Sequence, residues 1–134
     1  MSPESLHLAH AWLTKARSDL AVARILIHGA EKHFDTGSYH CQQAAEKAFK
    51  GWLTAKEVIF PKTHSLEAIL ALCIPTNGAF AQFRIHSEEL TPLAHEFRYP
   101  GDAVDPDAAQ AGRALMLAEE VCTFCEEQMA TMGK

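Results

Sequence analysis

Apolar residues recur along this chain at alternating three- and four-residue steps, the spacing of one face of an α-helix. Ala9, Leu13, Ala16, Leu20, Ala23 and Ile27 form the first stripe. It predicts a helix from about Ser5 to His28, with Gly29 as its stop. A loop over about Ala30 to Gly37 leads to a second helix, about Ser38 to Lys56, for which Asp35, Thr36 and Ser38 are all candidate N-caps. Val58 to Lys62 reads as an extended link, because Pro61 disfavours helix in the residue before it. A short third helix, about Ser65 to Cys73, follows a cap at Thr63 or Ser65. After the turn Pro75-Thr76-Asn77-Gly78, a fourth covers about Ala79 to Phe97, with Pro92 expected to end or kink it near Thr91. Asp105-Pro106 reads as an N-cap and a first-turn proline, opening a last helix from about Pro106 to Met129. No convincing alternating run predicts a strand. The expected fold is all-α: an antiparallel up-and-down helical bundle of four main helices plus a short inserted helix, in a single domain over residues 1–134.

The second helix departs from a simple amphipathic pattern. At about 100° per residue, Cys41, Ala44, Ala45, Ala48, Phe49 and Trp52 share an apolar arc. The opposite arc carries Tyr39, His40, Gln42, Gln43, Glu46, Lys47 and Lys50, with Leu53 as one apolar intruder. Three readings of that arc are open: a solvated flank, a surface that docks another subunit or partner, or a site for a phosphate-bearing ligand. On the first reading, Glu46 and Lys50 form a four-step pair worth only about 0.2–0.5 kcal/mol. On the last, Lys47 and Lys50 supply charge while Gln43 reads an amide or base edge.

Composition narrows the partners. The chain of 134 residues carries a net charge of −5, from 12 Lys and Arg against 17 Asp and Glu. This balance disfavours sequence-independent binding to long nucleic acid, which normally draws on a basic excess. No apolar run reaches the roughly 20 residues that cross a bilayer, and the start lacks the pattern of a signal peptide, so a cytoplasmic protein is expected. Of the four cysteines, Cys122 and Cys125 have the spacing of a metal or redox pair, but on one helix they read better as buried thiols. The eight histidines show no zincin pair. No metal, no cofactor and no catalytic residue is assigned.

Three blocks in order carry a resemblance. His40-Cys41-Gln42-Gln43-Ala44-Ala45-Glu46-Lys47-Ala48-Phe49-Lys50, then Lys62-Thr63-His64-Ser65-Leu66, then Phe97-Arg98-Tyr99-Pro100 resemble the HEPN domain of prokaryotes, and Ala16-Arg17-Ser18-Asp19-Leu20 fits its first helix. The resemblance implies an all-helical bundle, commonly a homodimer, of the nucleotidyltransferase-associated branch. Such proteins are often encoded beside a minimal nucleotidyltransferase, some in toxin–antitoxin pairs, and nucleotide binding is a proposed role. Other branches are metal-independent ribonucleases with an Arg, four to six intervening residues and a His. This chain departs from that pattern: no His follows Arg98, Arg84 precedes His86 and His95 at other distances, and three residues separate Arg24 from His28.

The expected ligand-binding set is therefore His40, Gln43, Lys47, Lys50, His64, Arg98 and Tyr99. Thr63-His64-Ser65 also serves as a helix cap, and Arg98-Tyr99-Pro100 lies in a breaker-rich loop, where function concentrates. The preferred function is a non-catalytic HEPN module that binds a nucleotide, a minimal nucleotidyltransferase partner, or both. The alternative is a ribonuclease toxin with a non-standard site, in which Arg98 holds phosphate and His64 or His40 moves the proton.

Overall fold

The computed structural model describes residues 2–95, 100–101 and 104–132. Five α-helices occur among them: α1 (Pro3–His28), α2 (Phe34–Ala55), α3 (Leu66–Cys73), α4 (Arg84–Leu90) and α5 (Ala108–Ala130). No strand occurs among the described residues, and no helix among them is long and apolar enough to cross a membrane. The expected helical bundle is the observed fold.

Helix α2 is its axis. Fifteen of its 22 residues are buried, so it is enclosed on several sides rather than along one stripe. α1 packs along one flank and α5 along another, while α3 and α4 close the remaining side. Gly37 and Gly51 let α1 and α2 approach closely. A Cβ at Gly37 would stand 2.7 Å from Cγ1 of Ile27, and one at Gly51 would stand 3.2 Å from the carbonyl oxygen of Ala9. The aromatic part of the core gathers on Phe80, which is fully buried and lies 5.2 Å from the ring of Trp52 and 5.0 Å from that of Phe124. Edge-on and tilted aromatic pairs of this kind each add about 0.5–1.5 kcal/mol beyond burial.

Three element boundaries differ from expectation, each for a local reason. α2 starts at Phe34, so Asp35, Thr36 and Ser38 fall inside its first turns and do not cap it. The chain reverses early because Gly29 N–H donates to the Ile25 carbonyl at 2.9 Å and His33 N–H to that of Leu26 at 2.8 Å. α5 is capped by Asp107, not Asp105. The Asp107 carboxylate accepts from Gln110 N–H at 2.8 Å while the Gln110 side chain accepts from Asp107 N–H at 2.9 Å. That reciprocal capping box needs a Gln or Glu three residues on, which Asp105 lacks. The fourth expected helix is pieced together: a 3₁₀ segment (Gly78–Phe83), α4, and a second 3₁₀ segment (Thr91–Ala94). At three residues per turn, Phe80 and Phe83 line up and both enter the core, and the break comes at Thr91-Pro92 as expected.

Candidate functional site

The polar arc of α2 is not a solvated flank. Gln42 is fully buried, and Gln43, Glu46 and Lys50 are each less than one-tenth exposed. Buried polar groups need partners; these four find them in one cluster around Glu46, and a second cluster gathers on Asp19.

The first centres on Glu46. One carboxylate oxygen, Oε1, accepts from Nδ1 of His64 at 2.8 Å and from Nε2 of Gln42 at 3.2 Å; the other, Oε2, accepts from Nζ of Lys50 at 3.0 Å. Gln42 also donates to the backbone carbonyl of His64 at 3.1 Å and accepts from Gln43 at 2.6 Å. The Lys50 ammonium lies 5.9 Å from the ring centroid of Trp12 and 5.8 Å from that of Phe60, within cation–π range of both. Burial alone would raise the Glu46 carboxyl above its usual range. The hydrogen bonds from His64, Lys50 and Gln42 outweigh it, and the group is held below that range. His64 comes from the segment just before α3, where Ser65 caps the helix by accepting from Ala68 N–H at 3.2 Å. Its ring is 68 % exposed. The result is an imidazole tethered through Nδ1 to a buried anion, with Nε2 turned away from that bond.

The second cluster bridges α1 and α2. Asp19 on α1, 7 % exposed, accepts from Nδ1 of His40 at 2.7 Å and from Nζ of Lys47 at 2.6 Å. The His40 and Lys47 side chains are each 26 % exposed. His40 and His64 therefore answer to different carboxylates, Asp19 and Glu46.

Of the expected ligand-binding residues, Gln43 and Lys50 are drawn inward, His40 and Lys47 sit at a rim, and His64 is presented to solvent. Arg98 and Tyr99 lie outside the described residues. The two anions that organise both clusters, Asp19 and Glu46, were not among the expected site residues. Asp19 carried a signal all the same, as an acid placed directly before Leu20 of the apolar stripe.

The cysteines take no part. All four are free and buried, and burial pushes the Cys41, Cys73 and Cys122 thiols up to about 12 and Cys125 well above its usual value. His86 stands apart, edge-on to Phe83 and 3.5 Å from Oε2 of Glu120, an ion-pair separation without a hydrogen bond. Among the described residues no group of three or more His, Cys, Asp or Glu is placed to hold a metal ion.

Comparison with known proteins agrees with this architecture. The crystal structure of TT1696 from Thermus thermophilus superposes with a TM-score of 0.72 at 26 % sequence identity, covering 89 % of this chain and 96 % of that one. No curated protein matches the sequence. The family model for the HEPN domain matches residues 9–128. With that match spanning both polar clusters and every helix of the bundle in whole or in large part, the chain belongs to the HEPN domain family.

Proposed function

We propose that this protein is a single-domain, cytoplasmic, non-catalytic HEPN module. It binds a nucleotide, docks a minimal nucleotidyltransferase of the kind found in toxin–antitoxin pairs, or does both, and works as a homodimer. The observation that supports this reading is the exposed His64 ring held by buried Glu46, on the same helix as the rim formed by His40 and Lys47. A ring fixed at one nitrogen presents the other at a set angle and loses little freedom on binding. Lys47 brings a cation, and Gln43 and Lys50, bonded to Gln42 and Glu46, belong to the same set. Arg98 and Tyr99 complete the proposed set. Titration calorimetry with a panel of mono-, di- and triphosphate nucleotides, beside co-purification with a nucleotidyltransferase encoded next to it, tests the reading. Binding in either experiment that is lost in His64→Ala is expected; silence in both overturns it.

One feature favours the alternative, a ribonuclease with a non-standard site. A carboxylate bound to Nδ1 fixes the tautomer and leaves Nε2 as a proton acceptor, the arrangement that general base chemistry uses. Incubation with total RNA separates the two readings. Cleavage lost in both His64→Ala and Arg98→Ala would replace the non-catalytic reading, and intact RNA would retire the ribonuclease.

A further inference from the structure

Helix α1 carries a second stripe that its own bundle does not use. Leu8, Ala11, Lys15, Ser18, Val22 and Ile25 recur at three- and four-residue steps and are all exposed. Three are large apolar residues in solvent: Leu8 is 54 % exposed, Val22 39 % and Ile25 66 %. This is the spacing of a coiled-coil seam, and it lies on the side of the helix roughly opposite the buried stripe of Ala9, Leu13, Ala16, Leu20, Ala23 and Ile27. The charged flanks are engaged elsewhere. Arg17 and Arg24 reach across to Glu126 and Glu119 of α5, and Asp19 faces α2.

We propose that this stripe is the homodimer interface, joining two copies of α1 antiparallel about a two-fold axis between Ala16 and Arg17. The proposal rests on the homodimer part of the reading above and is independent of what His64 binds. One observation selects a second copy as the occupant and another sets its direction. First, the stripe is self-complementary about that axis: Leu8 meets the partner's Ile25, Ala11 meets the partner's Val22, and Lys15 meets the partner's Ser18. Each layer pairs one of the two seam positions with the other, as a two-fold contact requires. Second, the charge decides direction. A parallel, in-register pair would set Lys15 against the partner's Lys15, whereas the antiparallel register gives that ammonium a serine neighbour and lets its stem lie along the seam. Ala11 and Ser18 are small enough for close approach of the two backbones.

The register has a consequence for the site. The positions flanking the seam on the α2 side are Trp12, which roofs Lys50, and Asp19, which holds His40 and Lys47. The same two-fold sets Trp12 beside the partner's Asp19, so each polar cluster borders the neighbouring copy.

Sedimentation of the full chain, with three variants, tests this. The wild type is expected to be a dimer, and Leu8→Glu/Ile25→Glu to weaken dimerisation at least tenfold while its circular dichroism stays that of a folded helical bundle, since both residues are exposed. Under mild oxidation Ala11→Cys/Val22→Cys is expected to give a disulfide-linked pair, and Ala11→Cys alone is not. A monomeric wild type overturns the pairing altogether. A dimer that survives Leu8→Glu/Ile25→Glu overturns this face while leaving the homodimer standing. Linkage through Ala11→Cys alone overturns the antiparallel register.

Discussion

Nδ1 of His64 donates to Oε1 of Glu46 at 2.8 Å, joining a side chain that is 68 % exposed to one that is 5 % exposed. One bond thus links the surface to the interior, and the two residues respond to mutation in opposite ways. His64→Ala should leave the fold intact, lowering stability by about 1.5–3 kcal/mol for one lost hydrogen bond to a charged group, while abolishing nucleotide or partner binding. Paired measurements of melting temperature and binding on one preparation check this. Unfolding of the variant at room temperature would assign His64 a structural role instead.

Glu46 and Lys50 belong to the interior. Either change alone, Glu46→Gln or Lys50→Met, strands a buried charge and should reduce the unfolding free energy by about 3 kcal/mol. The double variant removes both charges, and Met suits the space beside Trp12 and Phe60. It should be less destabilised than the sum of the single changes by at least about 1 kcal/mol. Urea denaturation of the four proteins closes this cycle, and simple additivity would show that the pair is not coupled.

The same carboxylate makes stability depend on pH with a definite sign. Glu46 is held below its usual range when folded, so the unfolded chain takes up its proton first as the pH falls. The contribution is complete above the unfolded value, about 4.3, and is lost as pH drops through the lower folded value. The gap in urea midpoint between wild type and Glu46→Gln should be wider at pH 6 than at pH 3. A gap independent of pH would contradict it.

Thiol labelling should separate the folded from the unfolded chain cleanly. Cys41, Cys73 and Cys122 are buried and pushed up to about 12, so at pH 8 roughly one part in ten thousand is thiolate, the reactive form. Native protein should resist a thiol reagent for hours, and denatured protein should react at all four positions. Rapid labelling of the native chain would show that the α2–α5 seam opens.

The helical plan was readable because it rests on local periodicity: the stripe from Ala9 to Ile27 and the breaks at Gly29 and Pro92 need no knowledge of distant residues. Capping was readable only where the partner is close in sequence. Ser65 could be named as one of two choices, whereas choosing Asp107 over Asp105 required weighing Gln110 as a reciprocal partner. The polar arc of α2 was visible as an arc, but its burial was not. Lys50 is enclosed by Trp12, far away on α1, and by Phe60, in the extended link, and a helical wheel holds no information about either. Asp19 shows the same limit. Its pairing with His40 and Lys47 depends on how α1 and α2 are rotated against each other, which Gly37 and Gly51 help to set.

The patchwork between Cys73 and Ala94 divides the molecule into parts of unequal firmness. α1, α2 and α5 are continuous ladders of 26, 22 and 23 residues, whereas Gly78–Phe83 and Thr91–Ala94 rely on 3₁₀ hydrogen bonds of poorer geometry. Phe80 and Phe83 act as pegs that anchor this flank to the core. Amide hydrogens along it should trade for deuterium well ahead of those in the middle of α2, which makes it the segment that breathes first when the bundle loosens.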